Sequence, residues 1–245
     1  MYMKKYVAII LVLLFAICGC SQFQGETITK TFGIKNSYSV LIVEDAIDVI
    51  LSDVAEQITV TAGENVMPNV VVEAAGGVLK IFYKNGAGRF ASKIAVTLPV
   101  NTNLSEINLS GASCISSESA LRNSSVAVKL SGASEFSGNV ETGLLDLDIS
   151  GASTVAIEGS ATKLVMNLSD ASEVSKKVSG NRYALACDEC DVTMSGASDA
   201  YIHCNGKINI LSLSGASDLH YTGNALITLT GNSVSGGSDI VQDTL

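Results

Sequence analysis

The chain has 245 residues, with 15 Lys and Arg against 24 Asp and Glu, a formal charge of −9 and a charged fraction of only 16%. Such an acidic chain with no basic run is a poor partner for nucleic acid or for an anionic lipid surface. The absence of Trp and the presence of only two His leave few groups for a sugar-stacking cleft or for acid–base chemistry at neutral pH.

Residues 1–19 read as a signal peptide. Lys4 and Lys5 precede an apolar run of 12 residues, Tyr6 to Ile17, which is too short to cross a bilayer as a permanent helix. The ending Ile17-Cys18-Gly19-Cys20 resembles the bacterial lipobox, which implies that Cys20 becomes the lipidated N-terminus and that the chain meets a membrane through that anchor. Several acyl chains on one residue hold firmly where a single chain is marginal. Losing 19 residues, Lys4 and Lys5 among them, leaves 226 residues and takes the formal charge from −9 to −11. Residues 20–29 form a lipidated tether, and the anchor implies the outer membrane of the cell envelope while leaving open the face on which the chain lies.

Residues 30–100 alternate apolar and polar residues in short runs, such as Ile47-Asp48-Val49-Ile50-Leu51 and Leu79-Lys80-Ile81, separated by turn signals such as Ala75-Gly76-Gly77. Irregular β coils or a β cap are expected here, since an uncapped array would expose a strand edge.

Residues 101–241 carry a repeat. Ser-Gly-Ala-Ser occurs at 110–113, 131–134, 150–153, 195–198 and 214–217, with Ser-Asp-Ala-Ser at 169–172 and Ser-Gly-Gly-Ser at 235–238, so the starts lie 21, 19, 19, 26, 19 and 21 residues apart. The residues before each copy alternate, as in Ile107-Asn108-Leu109, Val128-Lys129-Leu130 and Leu211-Ser212-Leu213, and so do those after it. A period near 20 leaves no room for a return helix. The expected fold is therefore all-β, a right-handed parallel β-helix (solenoid) with about 20 residues per coil. Gly111, Gly132, Gly151, Asp170, Gly196 and Gly215 are the structural turn residues, placed where a left-handed backbone suits Gly and tolerates Asp. The Ala beside each is expected to tuck its methyl inward, and the Ser hydroxyls to bond the turn backbone.

The order Ile58-Thr59-Val60-Thr61-Ala62-Gly63, Leu79-Lys80-Ile81, Val96-Thr97-Leu98-Pro99 and then repeated Leu-Ser-Gly-Ala-Ser resembles the bacterial family of putative auto-transporter adhesins with a head GIN domain, over about residues 30–240. The resemblance implies an envelope lipoprotein with a β-helical domain and brings no catalytic or ligand residues with it.

The 26-residue spacing between Ser169 and Ser195 marks an insertion near residues 176–191, which includes Cys187 and Cys190, a candidate disulfide pair. Zinc would need Cys187, Cys190, Cys204 and His203 to converge, and no metal or other cofactor is expected. The outward acidic column Glu135, Glu173, Asp199, Asp218 and Asp239 lacks the Gly-Asp nonapeptide of calcium β-rolls and is expected to be solvated. His203 and His220 should both face outward. No catalytic residues stand out, and the expected function is a non-enzymatic, lipid-anchored surface for an unknown protein or glycan. Two other readings remain: a structural or stress-related envelope component, and a polysaccharide-acting enzyme with a cleft at the insertion.

Overall fold

Alternating side chains make almost every segment a strand in the computed structural model, which describes residues 26–33, 38–84, 93–175 and 183–244. The signal peptide, Cys20, most of the tether and residues 176–182 of the insertion lie outside these. The first half comprises β1 (Thr27–Phe32), β2 (Val40–Val43), β3 (Ile47–Ser52), β4 (Ile58–Gly63), β5 (Val70–Ala75), β6 (Val78–Tyr83), β7 (Ile94–Pro99), β8 (Glu106–Leu109) and β9 (Cys114–Ser117). Longer strands follow: β10 (Leu121–Leu130), β11 (Glu135–Ile149), β12 (Thr154–Leu168), the short β13 (Glu173–Val174), β14 (Leu185–Met194) and β15 (Asp199–Leu213). The chain ends in β16 (Asp218–Thr222), β17 (Leu226–Leu229) and β18 (Asp239–Gln242).

The all-β expectation holds, but the right-handed parallel β-helix with its regular coils is corrected. Among the described residues the strands form one 18-stranded sheet of mixed direction. β12 pairs with both β13 and β14, and β15 pairs with the same two, so these four strands close into a ring to which the others are added. Antiparallel pairs β1–β4, β4–β7 and β5–β6 interrupt the parallel order. The cause lies in the turns. Gly76 and Gly77, both with positive φ, form a tight hairpin that reverses the chain between β5 and β6.

Parallel pairing in register lines up equivalent residues of successive repeats. One such column runs Leu79, Leu41, Ile107, Val128, Leu147, Met166, Val192 and Ile210, each paired with the next. All eight are fully buried. Burying each aliphatic side chain contributes about 1.5–3 kcal/mol of apolar transfer before entropy is counted, so this column and its neighbours are the main source of stability. The repeat phrase alone places Leu211 in the column, but the register shifts between Val192 and Thr193, so that Ile210 pairs with Val192 and Ser212 with Thr193. The extra residue is a β-bulge, and it leaves Leu211 49% exposed.

Each four-residue phrase is a corner. Gly111, Gly132, Gly151, Asp170, Gly196, Gly215 and Gly236 all have φ between 64° and 83°. The corners stack closely: a Cβ on Gly151 would lie 2.3 Å from Gly132 O and one on Gly215 2.4 Å from Gly196 O. The approach lets the next N–H reach the carbonyl of the previous corner, Ala152 N to Gly132 O at 2.8 Å and Ala216 N to Gly196 O at 2.7 Å. At position 170 the Asp carboxylate accepts the Gly151 N–H at 3.0 Å.

The inward residue of the corner is not Ala. Ala112, Ala133, Ala152, Ala171, Ala197 and Ala216 are exposed, while Ser113, Ser134, Ser153, Ser172, Ser198 and Ser217 are buried. A buried hydroxyl is tolerated because it is satisfied. Ser113, Ser198 and Ser217 donate to the carbonyl of the Ser three residues earlier at 2.8, 2.9 and 2.9 Å, closing the turn.

Candidate binding face

The strand before each corner presents its polar residues outward, and the register places Asn108, Lys129, Asp148, Asn167, Thr193 and Ser212 side by side. A groove of about 320 Å³ opens over the first of them, with Glu44, Asn108, Lys129, Asp148, Ser131 and Ser150 in its lining. Glu106 organises it: its carboxylate accepts Lys129 Nζ at 2.9 Å and Asn108 Nδ2 at 3.0 Å. The hydrogen bond from Lys129, followed by that from Asn108, holds the Glu106 carboxyl below the usual range. The groove therefore offers donors and acceptors of both charges, spaced by the strand separation of about 4.8 Å, with small Ser side chains beside them. Such a surface suits a ligand with many hydroxyl or amide groups.

Farther along, Lys163 Nζ meets Asp191 Oδ2 at 2.7 Å and Asn209 Nδ2 donates to Asp191 Oδ1 at 2.7 Å. These two contacts, the Lys163 hydrogen bond first, depress the Asp191 carboxyl.

An aromatic group lies on the face formed after the corners. Tyr201 and His220 are register partners with stacked rings 4.7 Å apart, and Tyr183 meets Tyr201 edge-on at 5.9 Å. Asp243 ties the group together, accepting the Tyr183 hydroxyl and pairing with His220 Nδ1 at 2.9 Å. The Tyr183 contact, then that of His220, lowers its carboxyl. Spacing in the sequence aligns Tyr201 with His220 but does not reveal Tyr183, because the insertion hides its register.

The acidic column is in register: Thr154 pairs with Glu135 and Glu173, and Glu173, Asp199, Asp218 and Asp239 follow in successive pairings. Burial, followed by the nearby Asp48 charge, raises the Glu135 carboxyl. Its members have local partners, such as Ser175 Oγ donating to Glu173 at 2.6 Å and Asp239 N to Asp218 at 3.2 Å.

Cys187, Cys190 and Cys204 are all buried and carry no disulfide in the structure, so the expected Cys187–Cys190 bond is not formed there. Cys187 and Cys190 do not lie in a bulge: residues from Leu185 onward pair with β12 from Gly159, so the extra length falls before Leu185 and both cysteines point into the interior of β14. His203 faces outward, its ring nitrogens against Thr222 Oγ1 and Asn205 Nδ2, each at 2.9 Å. The four residues that zinc would require are thereby split between the two sides of the sheet, and no metal-holding group of three His, Cys, Asp or Glu occurs among the described residues.

Sequence reasoning missed one corner. Asp45 and Ala46 have φ of 68° and 57°, and a Cβ on Gly111 would lie 3.0 Å from Asp45 N, so Glu44-Asp45-Ala46-Ile47 is the corner beneath Ser110-Gly111-Ala112-Ser113. The Asp-Ala of 170–171 was the signal that could have found it. Ile47 takes the place of the buried Ser, and its N–H faces Ser113 Oγ at 3.4 Å.

Residues 37–225 match the family described as putative auto-transporter adhesin, head GIN domain. No protein of curated function matches the chain. Among solved structures, a putative adhesin of Bacteroides fragilis is 15% identical with a TM-score of 0.73 over 90% of this chain and 97% of its own. One of Parabacteroides merdae is 19% identical, TM-score 0.69, over 91% and 98%. A protein of Parabacteroides distasonis described as a putative lipid binding protein is 17% identical, TM-score 0.64, over 91% and 99%. At these identities the likeness is one of fold.

Proposed function

We propose that this chain, which belongs to the bacterial family of putative auto-transporter adhesins with a head GIN domain, is a non-enzymatic, lipid-anchored envelope protein that binds a glycan or protein through the polar face of its repeats. The observation that carries this reading is the groove of about 320 Å³ beside the corners, in whose lining Asn108, Lys129 and Asp148 stand in register next to Ser131 and Ser150. Its groups are strong hydrogen-bonding partners set on a rigid sheet, so little entropy is lost when a ligand docks. The lipobox-like ending Ile17-Cys18-Gly19-Cys20 and the family support an envelope location.

Two experiments test it. Replacing Cys20→Ala is expected to move the protein from washed membranes to the soluble fraction and to abolish labelling by a radioactive fatty acid; a mutant that stays membrane-bound and labelled contradicts the anchor. The purified protein, applied to an array of glycans and immobilised matrix proteins, is expected to bind at least one class. That binding should fall at least about tenfold in the double variant Lys129→Ala, Asp148→Ala, the loss of two charge-assisted contacts of about 1.5–3 kcal/mol each. Binding that is indifferent to both substitutions moves the site elsewhere, and no binding at all removes the adhesive reading.

A further inference from the structure

Three cysteines that the binding face does not use meet in the interior. β14 and β15 run parallel, and Cys187 is the direct register partner of Cys204. Neighbouring strands stand about 4.8 Å apart, within the 4.4–6.8 Å that a disulfide spans between Cα atoms. The register shifts immediately after this pair, between Cys187 and Glu189, so the backbone there is not held by an unbroken ladder. Cys190 has a different setting: its partners across the two ladders are Leu164 and Ile208.

The structure holds the three cysteines reduced; we propose that in the mature protein Cys187 and Cys204 are joined by a disulfide, formed as the chain folds after export, and that Cys190 remains a thiol beside it. The family points to the cell envelope, where disulfides persist. The reaction requires an oxidant, which we assign to the class of disulfide-bearing thiol oxidases. The Cys187 thiol loses its proton, and the thiolate attacks one sulfur of the oxidase disulfide, forming a mixed disulfide and releasing one oxidase thiolate. The Cys204 thiolate then attacks the Cys187 sulfur and expels the second. Two electrons pass from the cysteine pair to the oxidase, which leaves as a dithiol.

In the folded protein only Cys187 of the pair can be reached from outside. A groove of about 270 Å³, with His203 and Asn205 in its lining, reaches Cys187. Cys187 is 5% exposed, whereas Cys190 and Cys204 are fully buried. Once the protein has folded reduced, the reaction is slow: hydrogen bonding with Cys190, with burial, outweighs the lowering contact of Cys204 and pushes the Cys187 thiol well up, and contact with Cys187 followed by burial does the same to Cys204. A thiol kept protonated is a poor nucleophile. Oxidation therefore belongs to the folding chain, before β14 and β15 close. The bond ties the long repeat, in which the insertion lies, to the repeat that follows.

The test uses the full-length protein, produced with its own leader in a bacterium with an oxidising periplasm, quenched in acid and alkylated under denaturing conditions without reductant. Cleavage after acidic residues separates the three cysteines, because Asp188 and Glu189 lie between Cys187 and Cys190, and Asp191 and Asp199 between Cys190 and Cys204. The expected result is a cross-linked pair of peptides carrying Cys187 and Cys204, lighter by two hydrogens than the sum of the reduced peptides, with Cys190 alkylated. The Cys190→Ser variant should keep the link. Full alkylation of Cys187 and Cys204, or a link from Cys187 to Cys190, overturns the proposal, and since the wild-type chain gives this readout it does not depend on any variant folding.

Discussion

The corner at Gly151 and the hairpin at Gly76 are both tight turns with positive φ, 74° and 59°, yet the molecule uses them differently. At Gly76, in the antiparallel N-terminal part, an added Cβ would meet nothing within 4 Å. At Gly151, in the parallel part, it would press on Gly132 O at 2.3 Å and Gly132 N at 2.9 Å. The hairpin needs glycine only for its backbone conformation, whereas the corner needs it also because another backbone lies against it. That difference explains why the phrase recurs almost unchanged through the repeats while the turns of residues 53–57, 64–69 and 76–77 share no common sequence.

The largest predicted effect follows directly. Gly151→Val should destabilise by roughly 3 kcal/mol or more, combining strained φ with overpacking against the neighbouring corner. Gly76→Ala should cost only about 1 kcal/mol, the conformational term alone. Gly151→Asp should fall between them, because its carboxylate has the option taken by Asp170, of accepting the N–H of the preceding corner. Urea unfolding of the three variants checks the order, and equal costs at 151 and 76 would break the comparison.

A second prediction separates the buried Ser from the rest of the phrase. Ser198→Ala removes the hydroxyl that donates to Ser195 O at 2.9 Å, and should cost about 1 kcal/mol by denaturant unfolding. Ala197→Ser, on the exposed neighbour, should be nearly silent.

The smallest effect at neutral pH concerns Tyr38, at the start of the first corner's strand. It is buried, its hydroxyl has no hydrogen-bond partner among the described residues, and burial pushes its phenol up to about 12. Tyr38→Phe should leave neutral stability unchanged or slightly raised, since an unpaired polar atom is removed. Above pH 10 the sign is fixed by linkage. The unfolded chain releases the phenolic proton near pH 10 while the folded chain keeps it to about 12. In that window the native state binds more protons, and stability falls with rising pH by about 1.4 kcal/mol per unit. The Phe variant should lack that part of the alkaline loss in unfolding curves at pH 9 and 11.

The repeat was legible because one corner imposes one residue: Gly and Asp at the left-handed position, apolar residues one and three before the phrase and two after it. Its limits were equally physical. The four letters do not say which of Ala or Ser turns inward, since either is small enough, and the turn geometry decides for the Ser that can bond its own corner. Leu211 was misplaced because a bulge leaves no mark on an alternating pattern in which Ile210 and Leu211 are equally apolar. The mixed sheet was hidden because two of its three antiparallel pairings join strands far apart in the chain: Thr27 pairs with Gly63 and Thr59 with Thr97. Alternation announces a strand and is silent about its neighbour. For the candidate site, outward polarity was readable in each repeat, but the role of Glu106 in holding Lys129 and Asn108 together depends on registry between strands.

The N-terminal part is not a separate cap but is built into the stack, with Glu44-Asp45-Ala46 as a corner directly against Gly111. Native-state hydrogen exchange tests it most directly. Amides of β2 and β3, which carry ladders to β8 and β9 on one side and to β6 and β7 on the other, should show the same opening free energy, and the same response to denaturant, as those of β8 and β9. If residues 40–52 instead open as a unit of their own, several kcal/mol before residues 106–117, the shared corner stack is contradicted.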